Sequence, residues 1–201
     1  MAGPEIIIAT SNEGKVREIR QICADLTVAP TSLKDHWRPV PDIPETGETF
    51  LENARIKAEW VWERRATWVL ADDSGLEIDS LGGKPGVWSS RYAGEHAHDR
   101  ENIAKVLEEL KGVPPEKRTA RFKCVMVLLS PSGEASTAEG VCEGRILSEP
   151  RGEGGFGYDP IFVPEGYTGS FAELDADTKN GISHRGRALE SLKGRLHELF
   201  D

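Results

Sequence analysis

Asp72 and Asp73 are adjacent carboxylates at the end of an apolar run, Trp68-Val69-Leu70-Ala71, and Ser74 and Gly75 follow them. Apolar residues bounded by turn formers read as a buried strand. The end of such a strand in an open α/β sheet is the usual place for a ligand. Two neighbouring carboxylates repel, which disfavours the doubly ionised pair unless a cation or a proton offsets it. That is the chemistry of a divalent-metal and general-base site. The same Asp-Asp-Ser-Gly residues also favour an ordinary surface turn, and the segment alone leaves both readings open. Glu45, ahead of Thr46-Gly47, could join Asp73 on a metal, because Mg2+ sites use few carboxylates plus waters and substrate phosphates. Alone, it is an acidic loop residue.

Three further segments carry donors. Thr10-Ser11-Asn12-Glu13-Gly14-Lys15 lies between an apolar run and a helical pattern. Unsatisfied N–H groups at a helix start, the helix dipole, a permissive glycine and a lysine together make an anion cradle of phosphate type. The spacing is not that of a Walker P-loop, and an ordinary N-capping turn is the plainer alternative. Gly152-Glu153-Gly154-Gly155-Phe156-Gly157 has the form Gly-x-Gly-x-x-Gly, but Tyr158-Asp159-Pro160 and a β-type run follow where a dinucleotide site needs a helix. It reads instead as a glycine loop in which Phe156 stacks on a base while Asp159 and backbone groups read its edge, or as a structural loop with a buried Phe. Ser183-His184-Arg185-Gly186-Arg187, just before the last helix, offers donors for a carbonyl or phosphate oxygen, or is a solvated basic turn. His184 has no second His or Cys at chelating spacing, and no nucleophile elbow is present.

The elements that must position these residues alternate. Glu5–Ala9 is a strand; Val16, Ile19, Cys23 and Leu26 form one helical stripe. Residues 27–48 are proline-rich, a long loop with room for a short strand. Thr49-Phe50-Leu51-Glu52 has the form of a capping box and opens a helix with Phe50, Ala54, Ala58, Val61 and Trp62 on one face; Lys57 lies on it. A helix from Asp99 carries Ile103, Val106, Leu107 and Leu110 and ends at Gly112 and Pro114. Thr119–Leu129 and Ala135–Gly144 form an antiparallel hairpin. Ile161–Val163 is a short strand, and Leu189, Leu192, Leu196 and Leu199 line a final helix. The expectation is one α/β domain over residues 1–201, with a mixed central sheet flanked by helices.

A chain of 201 residues supports one sizeable core. A net charge of −9 argues against a broad nucleic-acid surface, which needs clustered Lys and Arg. The longest apolar runs are far too short to span a bilayer, and the N-terminal residues have no secretory pattern, so the expectation is a cytoplasmic protein without nucleic-acid or membrane partners. Cys23, Cys124 and Cys142 lack metal-ligand spacing and read as buried free thiols.

Taken together, Ala9–Lys15, Glu45–Ala54, Ala71–Leu76, Gly82–Arg91, Gly154–Pro160 and Ile182–Gly186 resemble, in order, the inosine triphosphate pyrophosphatase family, the non-canonical purine nucleoside triphosphate pyrophosphatases. The resemblance implies two lobes around a nucleotide-binding cleft, a homodimer, and Mg2+-dependent cleavage between the α- and β-phosphates of inosine, deoxyinosine and xanthosine triphosphates. It makes Asp73 the catalytic carboxylate and a metal ligand, Glu45 a metal-site acid and Asp72 a supporting one. It makes Thr10, Ser11, Asn12, Glu13, Gly14, Lys15 and Lys57 triphosphate contacts. Ser74, Phe156, Gly157, Tyr158, Asp159, Lys179, His184 and Arg185 become the remaining nucleotide-binding positions, with Arg185 or His184 donating to a 6-keto oxygen. It is silent on residues 27–44 and on Trp60 and Trp62. A regulatory module that binds nucleotide without cleaving it, and a pyrophosphatase for other nucleotides, are the alternatives.

Overall fold

The computed structural model describes residues 4–24 and 26–200. Six strands form one sheet in the order β2-β1-β3-β4-β5-β6: β1 Glu5–Ile8, β2 Ala29–Ser32, β3 Trp68–Ile78, β4 Thr119–Leu129, β5 Ala135–Ile146 and β6 Phe162–Pro164. β1 runs parallel to β2 and β3, and β5 is antiparallel to β6, so the sheet is mixed as expected. Pro30 sits within β2 without harm because β2 is an edge strand, where a missing N–H leaves no neighbour unpaired. A turn closed by Gly133 N–H on Ser130 O and by Ser130 N–H on Glu134 O joins β4 to β5. So short a connection between neighbouring strands permits only the antiparallel pairing.

Among the described residues six α-helices accompany the sheet: α1 Glu13–Ile22, α2 Leu33–His36, α3 Phe50–Arg65, α4 Asp99–Glu109, α5 Ala176–Ile182 and α6 His184–Phe200. The capping box opens α3 as the sequence requires: Thr49 Oγ1 accepts from Glu52 N, and Glu52 Oε2 accepts from Thr49 N, both at 3.2 Å. α1 ends at Ile22 with Cys23 as its cap, so Leu26 lies past the helix. α5 was not expected from the sequence. The side chain of Leu199, expected on the α6 stripe, lies outside the described residues.

The chain divides into two compact units. The first comprises residues up to Asp73, Cys124–Gly140 and the chain from Arg185. The second comprises Ser74–Lys123 and Val141–His184. Within the first unit the pleat sorts the core. Ile6, Ile8, Leu70, Cys124, Met126 and Leu128 pack with Val16 and Ile19 of α1 and Leu189 and Leu192 of α6. Their chain neighbours Ile7, Ala9, Val69, Ala71, Val127 and Leu129 pack with Ala54, Ala58 and Val61 of α3. Successive strand residues face opposite sides, so this unit's sheet has helices on both faces, α1 and α6 on one and α3 on the other. In the second unit Leu76, Ile78, Ala120, Phe122, Cys142 and Ile146 pack with Ile103, Val106 and Leu110 of α4 and with Phe162 and Phe171. All three cysteines are buried free thiols. No helix among the described residues is long and apolar enough to cross a membrane.

One expectation fails here. Asp72-Asp73-Ser74-Gly75 is not the tip of a strand or a turn: β3 runs straight through it to Ile78. Leu76 and Ile78, beyond the acidic pair, are buried core residues, and the burial they gain outweighs the local turn preference.

Candidate active site

Because Asp72 and Asp73 are successive residues of a strand, they face opposite sides of the sheet. Asp72 takes the side of α1 and α6. It is 0% exposed, and its Oδ2 lies 3.0 Å from Lys15 Nζ and 3.4 Å from Arg185 Nη2. Arg185 also pairs with Glu18 of α1 through Nη1. Burial acts to raise the Asp72 pKa, but the charges of Lys15, Arg185 and Lys57 outweigh it and hold the carboxyl well below the usual range. Burial opposes the charge of Arg185 in turn, and Asp72 and Glu18 more than offset it.

Asp73 takes the side of α3. Its Oδ2 accepts from Asn53 Nδ2 at 3.1 Å, and its Oδ1 lies 3.6 Å from Lys57 Nζ. Lys57 is also 2.6 Å from Glu45 Oε1. Asn53 and Lys57 are four residues apart on one helix, so they lie one above the other on the same face. Burial raises the Asp73 pKa despite Lys57 and Lys15. Lys57 stays a cation: burial works against its charge, but Asp73, Glu45 and Asp72 prevail. Thus the mutual repulsion of the acidic pair is not what governs this site. Each carboxylate contacts cations on its own side, while the charges of Lys15 and Lys57 act on both.

Thr10–Lys15 forms the β1–α1 turn. Asn12 caps α1, its Oδ1 accepting from Lys15 N at 3.1 Å, while Thr10 Oγ1 accepts from Asn12 N at 3.2 Å. Glu13 pairs with Lys34 at 2.7 Å. Ser11, Asn12 and Glu13 are exposed, and Gly14 is half-buried. Helix capping is therefore the work this turn performs in the structure, with Lys15 directed to Asp72.

The second unit holds the other expected residues. Ser74 is half-buried in the middle of β3. Asp159 is buried, with its Oδ2 2.6 Å from Lys179 Nζ and 2.9 Å from Phe156 N. Lys179 Nζ stands 5.1 Å from the centroid of the half-buried Phe156 ring. Gly157 N donates to Asp99 Oδ2 at 2.7 Å, and Tyr158 Oη donates to Ser89 O at 2.8 Å. A 3-10 turn and β6 follow, which agrees with the exclusion of a dinucleotide loop. His184 stacks on Phe122, with centroids 4.7 Å apart and planes within 12°. The last helix starts at His184, so His184 and Arg185 lie in its first turn rather than before it.

Two buried polar residues escaped the sequence reading: Asn53, which contacts Asp73, and Glu18, which holds Arg185. Both sit on apolar helical stripes, Asn53 beside Ala54 and Ala58 and Glu18 beside Val16 and Ile19. A polar side chain on a buried stripe needs a partner, and that was the available signal.

Among the described residues no group of three or more His, Cys, Asp or Glu side chains is arranged to hold a metal ion. The donors that fit Mg2+ are two: Glu45 and Asp73, brought together by a shared lysine. A pair of hard oxygen ligands completed by substrate phosphates and water is the usual provision for that ion. Asp72 is turned to the other face.

The fold and this cluster define an α/β protein of mixed sheet with a buried carboxylate–lysine–carboxamide centre. The chain belongs to the Ham1 family, whose model matches residues 6–195. Among its relatives are the dITP/XTP pyrophosphatase of Oceanobacillus iheyensis, 49% identical over 97% of this chain and 99% of that protein. The dITP/XTP pyrophosphatase of Shouchella clausii is 53% identical over 98% of each. Among solved structures, a HAM1 protein from Coxiella burnetii superposes with a TM-score of 0.86 at 46% identity, covering 97% of this chain and 99% of that one.

Proposed function

We propose that this chain is a nucleoside triphosphate pyrophosphatase that converts ITP, dITP and XTP to the monophosphate and pyrophosphate. Relatives at about half identity over nearly the whole chain carry the name dITP/XTP pyrophosphatase. The observation that carries the chemistry is Asp73, a buried acid with a raised pKa on a rigid strand, held by an amide on one oxygen and faced by an ammonium on the other. A base whose pKa is raised toward working pH accepts a proton more effectively.

Asp73 takes a proton from the water that attacks the α-phosphorus, and the bond to the bridging oxygen breaks so that pyrophosphate departs. Lys57, Lys15 and the N-terminus of α1 stabilise the charge that builds on it. Glu45 and Asp73 would hold Mg2+, which when bound polarises phosphate oxygens and offsets their charge. The residue contacts that the resemblance implies for Ser74, Phe156–Asp159, Lys179 and His184 belong to the same reading, as do a homodimer and a cytoplasmic location. Base reading by Arg185 would require its guanidinium to leave Glu18 and Asp72.

The test is one panel: purified protein, Mg2+ and each triphosphate, with pyrophosphate and orthophosphate assayed separately. Pyrophosphate from ITP, dITP and XTP is expected. ATP presents a 6-amino group to donors, and each unpaired buried polar group costs about 1–3 kcal/mol, so it should be turned over roughly ten- to a few hundred-fold less efficiently. Stoichiometric binding without pyrophosphate release would replace the enzyme with a sensor. A preference for modified pyrimidines would replace the substrate class.

A further inference from the structure

The loop that carries Glu45 and the strand that carries Asp73 meet at one side chain. Asn53 is 0% exposed, its Oδ1 accepts from Gly47 N at 2.8 Å, and its Nδ2 donates to Asp73 Oδ2 at 3.1 Å. The first bond fixes the second. With its carbonyl oxygen committed to an N–H, the amide can only turn its NH2 group to Asp73. A donor in that position requires a lone pair on Asp73 Oδ2 and sets the plane of the carboxylate. Gly47 lies against the start of α3 so closely that a Cβ there would stand 2.8 Å from Asn53 Oδ1 and 2.6 Å from Glu52 Cβ. The loop therefore reaches Asn53 only because residue 47 has no side chain. Two residues earlier, Glu45 is bound to Lys57, which also faces Asp73.

We infer that Asn53 and Gly47 form a positioning latch: Asn53 orients the Asp73 carboxylate and, through the Gly47 N–H, holds the Glu45 loop in register with it. Asn53 is a positioning residue, since it acts through Asp73. The inference rests on the hydrolytic reading above.

Three variants separate the two bonds. Asn53→Asp is nearly isosteric: it still accepts from Gly47 N but sets an oxygen against Asp73. Asn53→Leu removes both bonds. Gly47→Ala opens the latch and leaves Asn53 in place. Losing a group that orients a metal or catalytic ligand costs about 10- to 100-fold, so Asn53→Asp should lower kcat by about that factor while KM stays within about three-fold; its melting temperature should fall, because a second buried carboxylate then faces Asp73. Asn53→Leu and Gly47→Ala should lower kcat and also weaken Mn2+ binding, read by electron paramagnetic resonance, by about 10-fold or more.

A folded Asn53→Asp with wild-type kcat overturns the orienting role. Unchanged Mn2+ affinity in folded Gly47→Ala overturns the latch. If wild-type protein releases no pyrophosphate, the hydrolytic reading falls by itself, and the Mn2+ titration of Gly47→Ala still decides the latch.

Discussion

Replacing Arg185 by alanine tests whether the first unit depends on a buried charge network. Arg185 is 1% exposed, and its guanidinium stands between Glu18 and Asp72, both buried. Truncation leaves Lys15 with Asp72 at 3.0 Å but takes the guanidinium from Glu18. Removing one partner of a buried ion pair costs about 3–5 kcal/mol. For a chain of this size each kcal/mol shifts Tm by about 2–4 °C, so a fall of roughly 6–20 °C is expected by calorimetry or circular dichroism.

The pH dependence follows from Asp72. Its folded pKa is depressed, so its stabilising contribution is complete above the unfolded value of about 3.9 and is lost as pH falls toward the folded value. The gap between wild type and Arg185→Ala should accordingly be full near neutrality and shrink below about pH 4. A companion Glu18→Leu/Arg185→Leu protein removes both charges of one pair and should melt above Arg185→Leu alone. An Arg185→Ala protein melting within about 2 °C of wild type at pH 7 would refute the reasoning, because no uncompensated buried charge could then exist. In the folded fraction, an unchanged ratio of inosine to adenosine triphosphate turnover would place base reading elsewhere.

Asp73→Asn should abolish turnover yet melt cooperatively, and near-normal turnover would remove Asp73 from the mechanism. Since burial raises the Asp73 pKa, wild-type kcat/KM should fall on acidification with its midpoint above the ordinary aspartate value of about 3.9; a midpoint at or below that value would contradict the placement. Gly155 has φ +72°, and a Cβ there would overlap the Asp159 carboxylate. Gly155→Ala should therefore cost at least the roughly 1–3 kcal/mol of a strained backbone, visible as a lower Tm, and a wild-type melt would show that the loop yields freely.

Local signals read well where the physics is local. The capping box at Thr49–Glu52 and the stripes of α3 and α4 follow from spacing alone, and the structure carries them. The hairpin strands also appear where the β-rich runs on either side of Ser130–Gly133 place them, the second continuing past Gly144 to Ile146. The acidic segment of β3 departs from the local signal because turn preference is local and burial is not: the alternation Leu76-Glu77-Ile78 is too short to set against four turn-forming residues. The partners of Asp73 illustrate the same limit. Lys57 and Glu45 stood out as charges, while Asn53, uncharged and embedded among alanines, did not. Arg185 looked like a solvated basic turn because its two acids lie 113 and 167 residues away in sequence.

The back-to-back arrangement of Asp72 and Asp73 makes this protein unusually intolerant of frame slips in one strand. Deleting a single residue between Trp68 and Ala71 would bring Asp73 to Lys15 and Arg185 and leave Ser74 before Asn53 and Lys57. Inserting one would bring Asp72 to Asn53 and Lys57 and leave Ala71 before Lys15 and Arg185. Length in that stretch is therefore a chemical constraint as well as an architectural one.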